Sequence, residues 1–207
     1  MPLGKRRKMR KGGTGRIHRR AQSKLEHVAS VWAAAVGGQS RIGSDPLACV
    51  VTVPNVPEAP ELILRYEERN KLFASLFDLH VLFEVDVCSL EAPKVSAGGG
   101  GTSLGGDELY LFKGAFAGNG RFSHAAEMLN CEIALSRLEA LGVVSVSTVP
   151  GGDGSKCVVD ISCLVGSATW NLIPPVFDVV CPTREECVKG IELFRMIAVA
   201  LQSSEKS

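Results

Sequence analysis

Glu61-Leu62-Ile63-Leu64-Arg65-Tyr66-Glu67-Glu68-Arg69-Asn70-Lys71-Leu72-Phe73-Ala74-Ser75-Leu76-Phe77-Asp78-Leu79-His80-Val81-Leu82-Phe83-Glu84-Val85-Asp86-Val87 is the stretch on which the fold turns. Its second half alternates. Leu79, Val81, Phe83, Val85 and Val87 share one face, and His80, Leu82, Glu84 and Asp86 share the other, the period of a half-buried strand. Its first half reads differently. Pro60 suits the first turn of a helix, and Leu62, Tyr66, Phe73 and Phe77 recur among Arg65, Glu67, Glu68, Arg69 and Lys71. The spacing predicts a helix from Glu61 to about Phe77, followed by a strand over Leu79–Val87.

Further strands are expected at Leu47–Val53, stopped by Pro54 and Pro57, and at Glu108–Phe116. The Gly118-Asn119-Gly120 turn then leads into a helix from Ser123 to Leu141, closed by Gly142. Val143–Val149 and Cys157–Val165 read as strands joined by the turn Pro150-Gly151-Gly152-Asp153-Gly154-Ser155. Phe177–Cys181 is another strand. A last helix begins at Thr183, whose partner Glu186 completes a capping box, and ends near Leu201. The six elements between residues 47 and 149 follow the order of a ferredoxin-like βαββαβ core. The expected class is α+β, that core being extended by a β-hairpin and a C-terminal helix.

Ahead of the core, residues 16–38 form a helix with Leu25, Val28, Val31, Trp32 and Ala35 on one stripe and Gly37-Gly38 as its stop. Trp32 is expected to anchor it. Residues 1–15 hold too little apolar surface to offset the entropy of ordering and are expected to be a disordered basic arm. The remainder, 45–203, is expected to be one α/β domain with a flexible Gly-rich loop at 92–107.

Charge is divided unevenly. Lys5, Arg6, Arg7, Lys8, Arg10, Lys11, Arg16, Arg19, Arg20 and Lys24 put ten of the chain's 23 cations into its first 24 residues, where no acid occurs. What is left is 13 cations against 22 acids, a body near −9 behind a segment near +10. A cationic segment on an acidic body points to a polyanion, RNA or less readily DNA, bound through these ten residues by counterion release, or to an import signal. The body would bind protein partners or itself. The expected protein is a non-enzymatic nucleic-acid-associated assembly or adaptor protein of the nucleus or nucleolus, with cytoplasm, mitochondrion or virion as alternatives. A rival is an RNA-virus coat protein with a packaging arm, although three helices suit a jelly roll poorly.

Other candidates are weaker. Asn130–Ser162 resembles the recognition helix and wing of a winged-helix domain, with Ser136 and Arg137 toward the groove and Lys156 near the wing; Glu127, Glu132, Glu139 and Asp153 oppose DNA there. Gly118-Asn119-Gly120-Arg121-Phe122-Ser123 matches two glycines of a dinucleotide fingerprint and has Ser123 at the third, the alternative being a nucleotide-binding domain or enzyme at that turn. His80, Glu84 and Asp86, with Asp78 beside them, fit a solvated strand face better than a metal or acid–base site. Seven cysteines (Cys49, Cys88, Cys131, Cys157, Cys163, Cys181, Cys187) contain no CxxC pair and are expected to be buried thiols. No catalytic residue, metal or cofactor is expected. The longest apolar runs, Val28–Val36 and Met196–Leu201, are far below the roughly 20 residues of a bilayer-spanning helix, so no membrane partner is expected.

Overall fold

A computed structural model describes residues 14–87, 107–151 and 155–204. Among them the chain forms helix α1 (Thr14–Val36), strands β1 (Ser40–Ile42), β2 (Ala48–Thr52), β3 (Glu61–Asn70), β4 (Ala74–Asp86), β5 (Glu108–Phe112) and β6 (Ala115–Asn119), helices α2 (Phe122–Leu129) and α3 (Glu132–Leu141), strands β7 (Val143–Pro150), β8 (Lys156–Asn171) and β9 (Val176–Val179), and helix α4 (Arg184–Ser203). One seven-stranded antiparallel sheet runs β1-β2-β3-β4-β8-β7, with β9 also paired to β8; β5 and β6 form a separate hairpin.

This overturns the ferredoxin-like expectation. The fold is α+β, but a large antiparallel sheet replaces the small βαββαβ core. The deciding error is one of period. Leu62, Leu64 and Tyr66 are buried and Glu61, Ile63 and Glu67 exposed, so residues 61–70 follow a period of two and form β3. Phe73, expected on a helical stripe, sits 63% exposed in the turn between β3 and β4. Phe77 belongs to β4, whose buried face continues through Leu79, Val81, Phe83 and Val85. β3 and β4 are therefore a hairpin, in register from Ile63↔Leu82 to Asn70↔Ser75.

Three smaller expectations are also corrected. Glu108–Phe116 is two strands, because Lys113 (φ 51°) and Gly114 (φ 80°) form a two-residue turn of left-handed residues. The helix expected over Ser123–Leu141 breaks at Asn130, whose side chain accepts from the Phe116 N–H and donates to its carbonyl at 2.8 Å each. Thr14 and Gly15, expected in the arm, belong to α1. The arm's residues 1–13 and the Gly-rich stretch 92–106 lie outside the described residues. Asp107, at the end of that expected loop, is largely buried against Arg121. The final helix has its capping box: the Thr183 side chain accepts from the Glu186 N–H, and the Glu186 carboxylate accepts from that of Thr183 at 2.7 Å.

The core lies between one face of the sheet and the helices. Trp32 of α1 is fully buried and stacks on Phe194 of α4 at 5.7 Å, and Phe194 meets Phe83 of β4 at 5.5 Å. Gly190 makes the α1–α4 approach possible, since a Cβ there would lie 2.5 Å from the Trp32 ring. β8 bulges at residues 164–167, between its pairings of Cys163 with Leu79 and Ala168 with Phe77. Gly166 (φ 92°) turns the chain there, and its carbonyl accepts from the Tyr66 hydroxyl at 2.7 Å. The opposite face of the sheet is open to solvent, with Arg65, Glu67, His80, Glu84 and Asp160 along it.

Candidate functional site

Of the ten cations, Arg16, Arg19, Arg20 and Lys24 are described, and all four are exposed on α1. Ala21, Leu25, Val28, Ala29 and Trp32 form the buried stripe of the same helix. The amphipathic period thus fixes the cations outward on a helix that is anchored to the body. Lys5, Arg6, Arg7, Lys8, Arg10 and Lys11 lie outside the described residues.

Two contacts fix where this end of α1 sits. The Arg20 guanidinium lies 5.5 Å from the centre of the Trp170 ring on β8, a cation–π distance. His18 Nε2 is 2.8 Å from Glu68 Oε2 on β3. Further along, Val28 lies beside Gly166 of β8. From Val28 back to Arg20 is about 12 Å of helix, and over the same course β8 passes from Gly166 in its bulge to Trp170. Helix and strand therefore run side by side toward one end of the sheet. Arg16 lies one further turn along α1 in that direction.

That end carries two turns, one joining β3 to β4 and one joining β8 to β9. They are bonded to each other, the Leu172 N–H donating to the Phe73 carbonyl at 2.9 Å. Both expose apolar side chains: Leu72 is 87% exposed, Phe73 63%, Leu172 52% and Ile173 79%. Pro174, Pro175 and Val176 continue the exposed surface. Isolated exposed apolar residues are ordinary, and a cluster of them on adjoining turns is a candidate contact surface. Sequence reasoning missed it, because Leu72 and Phe73 were assigned to a helix.

The charges beside the cluster are predominantly positive. Lys71 is exposed at the start of the first turn. Glu68 is bound by His18, and Asp78 by Arg69. Asp178 is the exposed acid on β9, set back opposite Thr169.

The other candidates are occupied by internal contacts. His80 on the open face has Asp160 Oδ1 2.7 Å from Nδ1 and Glu67 Oε2 3.3 Å from Nε2. The hydrogen bond to Asp160 raises the His80 pKa, helped by the charges of Asp160 and Glu67; burial and Arg65 oppose it. Glu84 pairs with Lys156 at 2.8 Å. Among the described residues no group of three or more His, Cys, Asp or Glu is placed to hold a metal ion. At the Gly118–Ser123 turn, Asp107 accepts from the Arg121 N–H and from its Nε at 2.9 Å each. A carboxylate thus occupies donors that a phosphate would need, and β6 belongs to a hairpin rather than a parallel sheet. Arg137 of the winged-helix reading is bonded to Glu192 of α4 at 2.8 Å, and the expected wing, β7 with β8, is part of the central sheet.

Six described cysteines are free thiols. Cys49, Cys157, Cys163 and Cys187 are buried, Cys131 is intermediate and Cys181 is exposed. Burial pushes Cys49 and Cys157 up to about 11, and Cys163 and Cys187 up to about 12, which keeps them protonated and unreactive near neutrality. Cys88 lies outside the described residues.

A family model described as "Protein of unknown function (DUF3156)" matches residues 45–201. The chain belongs to this family. No curated protein and no solved structure matches it. The DUF3156 match takes in the sheet from β2 onward, both apolar turns and most of α4, whereas α1 with its cations and the edge strand β1 precede it. In this member of DUF3156 the candidate surface is thus assembled from matched strands and an unmatched basic helix.

Proposed function

We propose that this protein is a non-enzymatic docking protein that holds a phosphate-bearing polyanion with its basic N-terminal segment and the first turns of α1, while the acidic body meets protein partners. One observation carries the reading. Arg16, Arg19 and Lys24 project from a helix whose opposite stripe is buried against the sheet, so the cations are presented on a rigid support. A cation held in place loses less freedom on binding than one on a free chain, which favours affinity. RNA and an anionic lipid surface both offer the required chemistry. His80 on the open face is held in ion pairs within the sheet, to Asp160 and Glu67.

The test is retention of the full chain on phosphocellulose over a salt gradient. Each neutralised phosphate contact adds roughly 0.7–0.9 to the slope of log affinity against log salt, on the calibration of nucleic acids. A variant carrying Arg16→Gln, Arg19→Gln and Lys24→Gln should elute at lower salt and with a shallower slope. Elution unchanged by these substitutions, or insensitive to salt in the wild type, refutes the reading.

A further inference from the structure

Resting on that reading, we infer that the polyanion is the headgroup layer of an anionic lipid bilayer, entered by the tips of the β3–β4 and β8–β9 turns while α1 faces the phosphates. Leu72, Phe73, Leu172 and Ile173 protrude together at one end of the sheet, tied by the Leu172–Phe73 backbone bond. Arg16 lies one helical turn beyond Arg20 toward this end, to which Arg19, Arg20 and Lys71 also belong. Apolar side chains that reach past the headgroups beside cations that meet the phosphates are the two signals that surface attachment requires, since either alone is weak.

The side chains at the tips favour lipid over nucleic acid. Single-stranded RNA is held by flat aromatic faces on which bases stack. Three of these four tip residues are aliphatic, and the Trp170 ring behind them is already met by Arg20. Aliphatic tips give a base no platform, whereas acyl chains accept them readily. Protruding turns also suit a fluid layer better than a protein partner, which would need a matching cavity. The expectation of no membrane partner rested on the lack of a spanning segment, and surface docking needs none. Arg20 over Trp170 places an amphipathic ring and a cation just behind the tips, at the level where headgroups would lie.

The experiment is flotation of the full chain with phosphatidylcholine vesicles that contain or lack phosphatidylserine. The variants are Leu72→Ser with Ile173→Ser, which leaves every cation, and Arg16→Gln with Arg19→Gln, which leaves the tips. Both positions of the first variant are far from the core, and circular dichroism melting checks that each variant is folded. The wild type should float with phosphatidylserine vesicles and release in high salt. The tip variant should bind about tenfold more weakly or worse, with phosphocellulose retention unchanged. The charge variant should lose about fivefold per cation removed.

Equal vesicle binding by the tip variant and the wild type overturns the inference. So does a wild type that ignores vesicles but remains on phosphocellulose or on RNA, which leaves the docking reading standing with nucleic acid as its anion. A wild type that ignores vesicles and forms a dimer abolished by Leu72→Ser with Ile173→Ser overturns it in favour of a protein contact.

Discussion

Replacing Gly190 by alanine should destabilise the protein, and should stabilise it once Trp32 is gone. Alanine is the better helix former by about 1 kcal/mol, so an exposed Gly→Ala in α4 would raise stability. Gly190 is not exposed. Its added Cβ would lie 2.5 Å from Trp32 Cη2, 3.1 Å from Cζ3 and 3.3 Å from Leu141 Cδ1, against an ordinary carbon–carbon separation of about 3.5–4.0 Å. The indole has little room to yield: it is fully buried and stacked on Phe194 with ring planes 11° apart. Overpacking of this kind costs about 1–3 kcal/mol, and the immobility of the ring argues for the upper part of that range. The net loss should be about 1–2 kcal/mol.

Trp32→Leu removes the ring and opens a void, at a cost of about 2–4 kcal/mol. In that background the ring clash is gone and the contact with Leu141 Cδ1 at 3.3 Å needs only a small shift, so Gly190→Ala should add about 1 kcal/mol. The coupling between the two sites is then about 2–3 kcal/mol, well beyond the roughly 0.5 kcal/mol within which independent sites add. Urea denaturation of wild type, both single variants and the double variant, followed by circular dichroism, measures the cycle. If Gly190→Ala changes stability equally in both backgrounds, α1 does not sit on α4 through Trp32, and the rigid presentation of the cations loses its basis.

Other outcomes follow from single features. His80 has its pKa raised above the usual value of 6.5, chiefly by its bond to Asp160. Its stabilising contribution is therefore complete below about pH 6.5 and is lost as pH rises through the folded value, so the urea midpoint should fall over that range more in the wild type than in His80→Gln. Gly166→Ala should cost about 2–4 kcal/mol, read by thermal or urea denaturation, because φ is 92° and the added Cβ would run into Leu79 Cδ2. Iodoacetamide applied to the native protein should label Cys181 well before Cys49, Cys157, Cys163 or Cys187, as mass spectrometry would show. Thr183→Ala should cost about 1 kcal/mol by loss of the capping box, again read by denaturation.

What was legible in the sequence was whatever local chemistry dictates. The capping box at Thr183 and Glu186, the alternation from Leu79 to Val87 and the stripe that buries Trp32 each follow from rules acting over a few residues. The β3–β4 hairpin was hidden for two physical reasons. Ile63 is apolar yet faces solvent, so Leu62-Ile63-Leu64 looks like an unbroken apolar run instead of an alternation. The turn that should have separated the strands has neither glycine nor proline; the Lys71 N–H simply donates to the Ala74 carbonyl at 2.7 Å around Leu72 and Phe73. Two apolar residues at a turn tip contradict the usual chemistry of turns, and that contradiction led to the helix. Local rules fail in folded proteins chiefly where something other than folding sets the side chain. Nothing in the β3–β4 turn requires Leu72 or Phe73, which are 87% and 63% exposed and add little to the core. A contact outside the chain would account for their placement, and the same two residues that break the local rule are those on which the lipid inference stands.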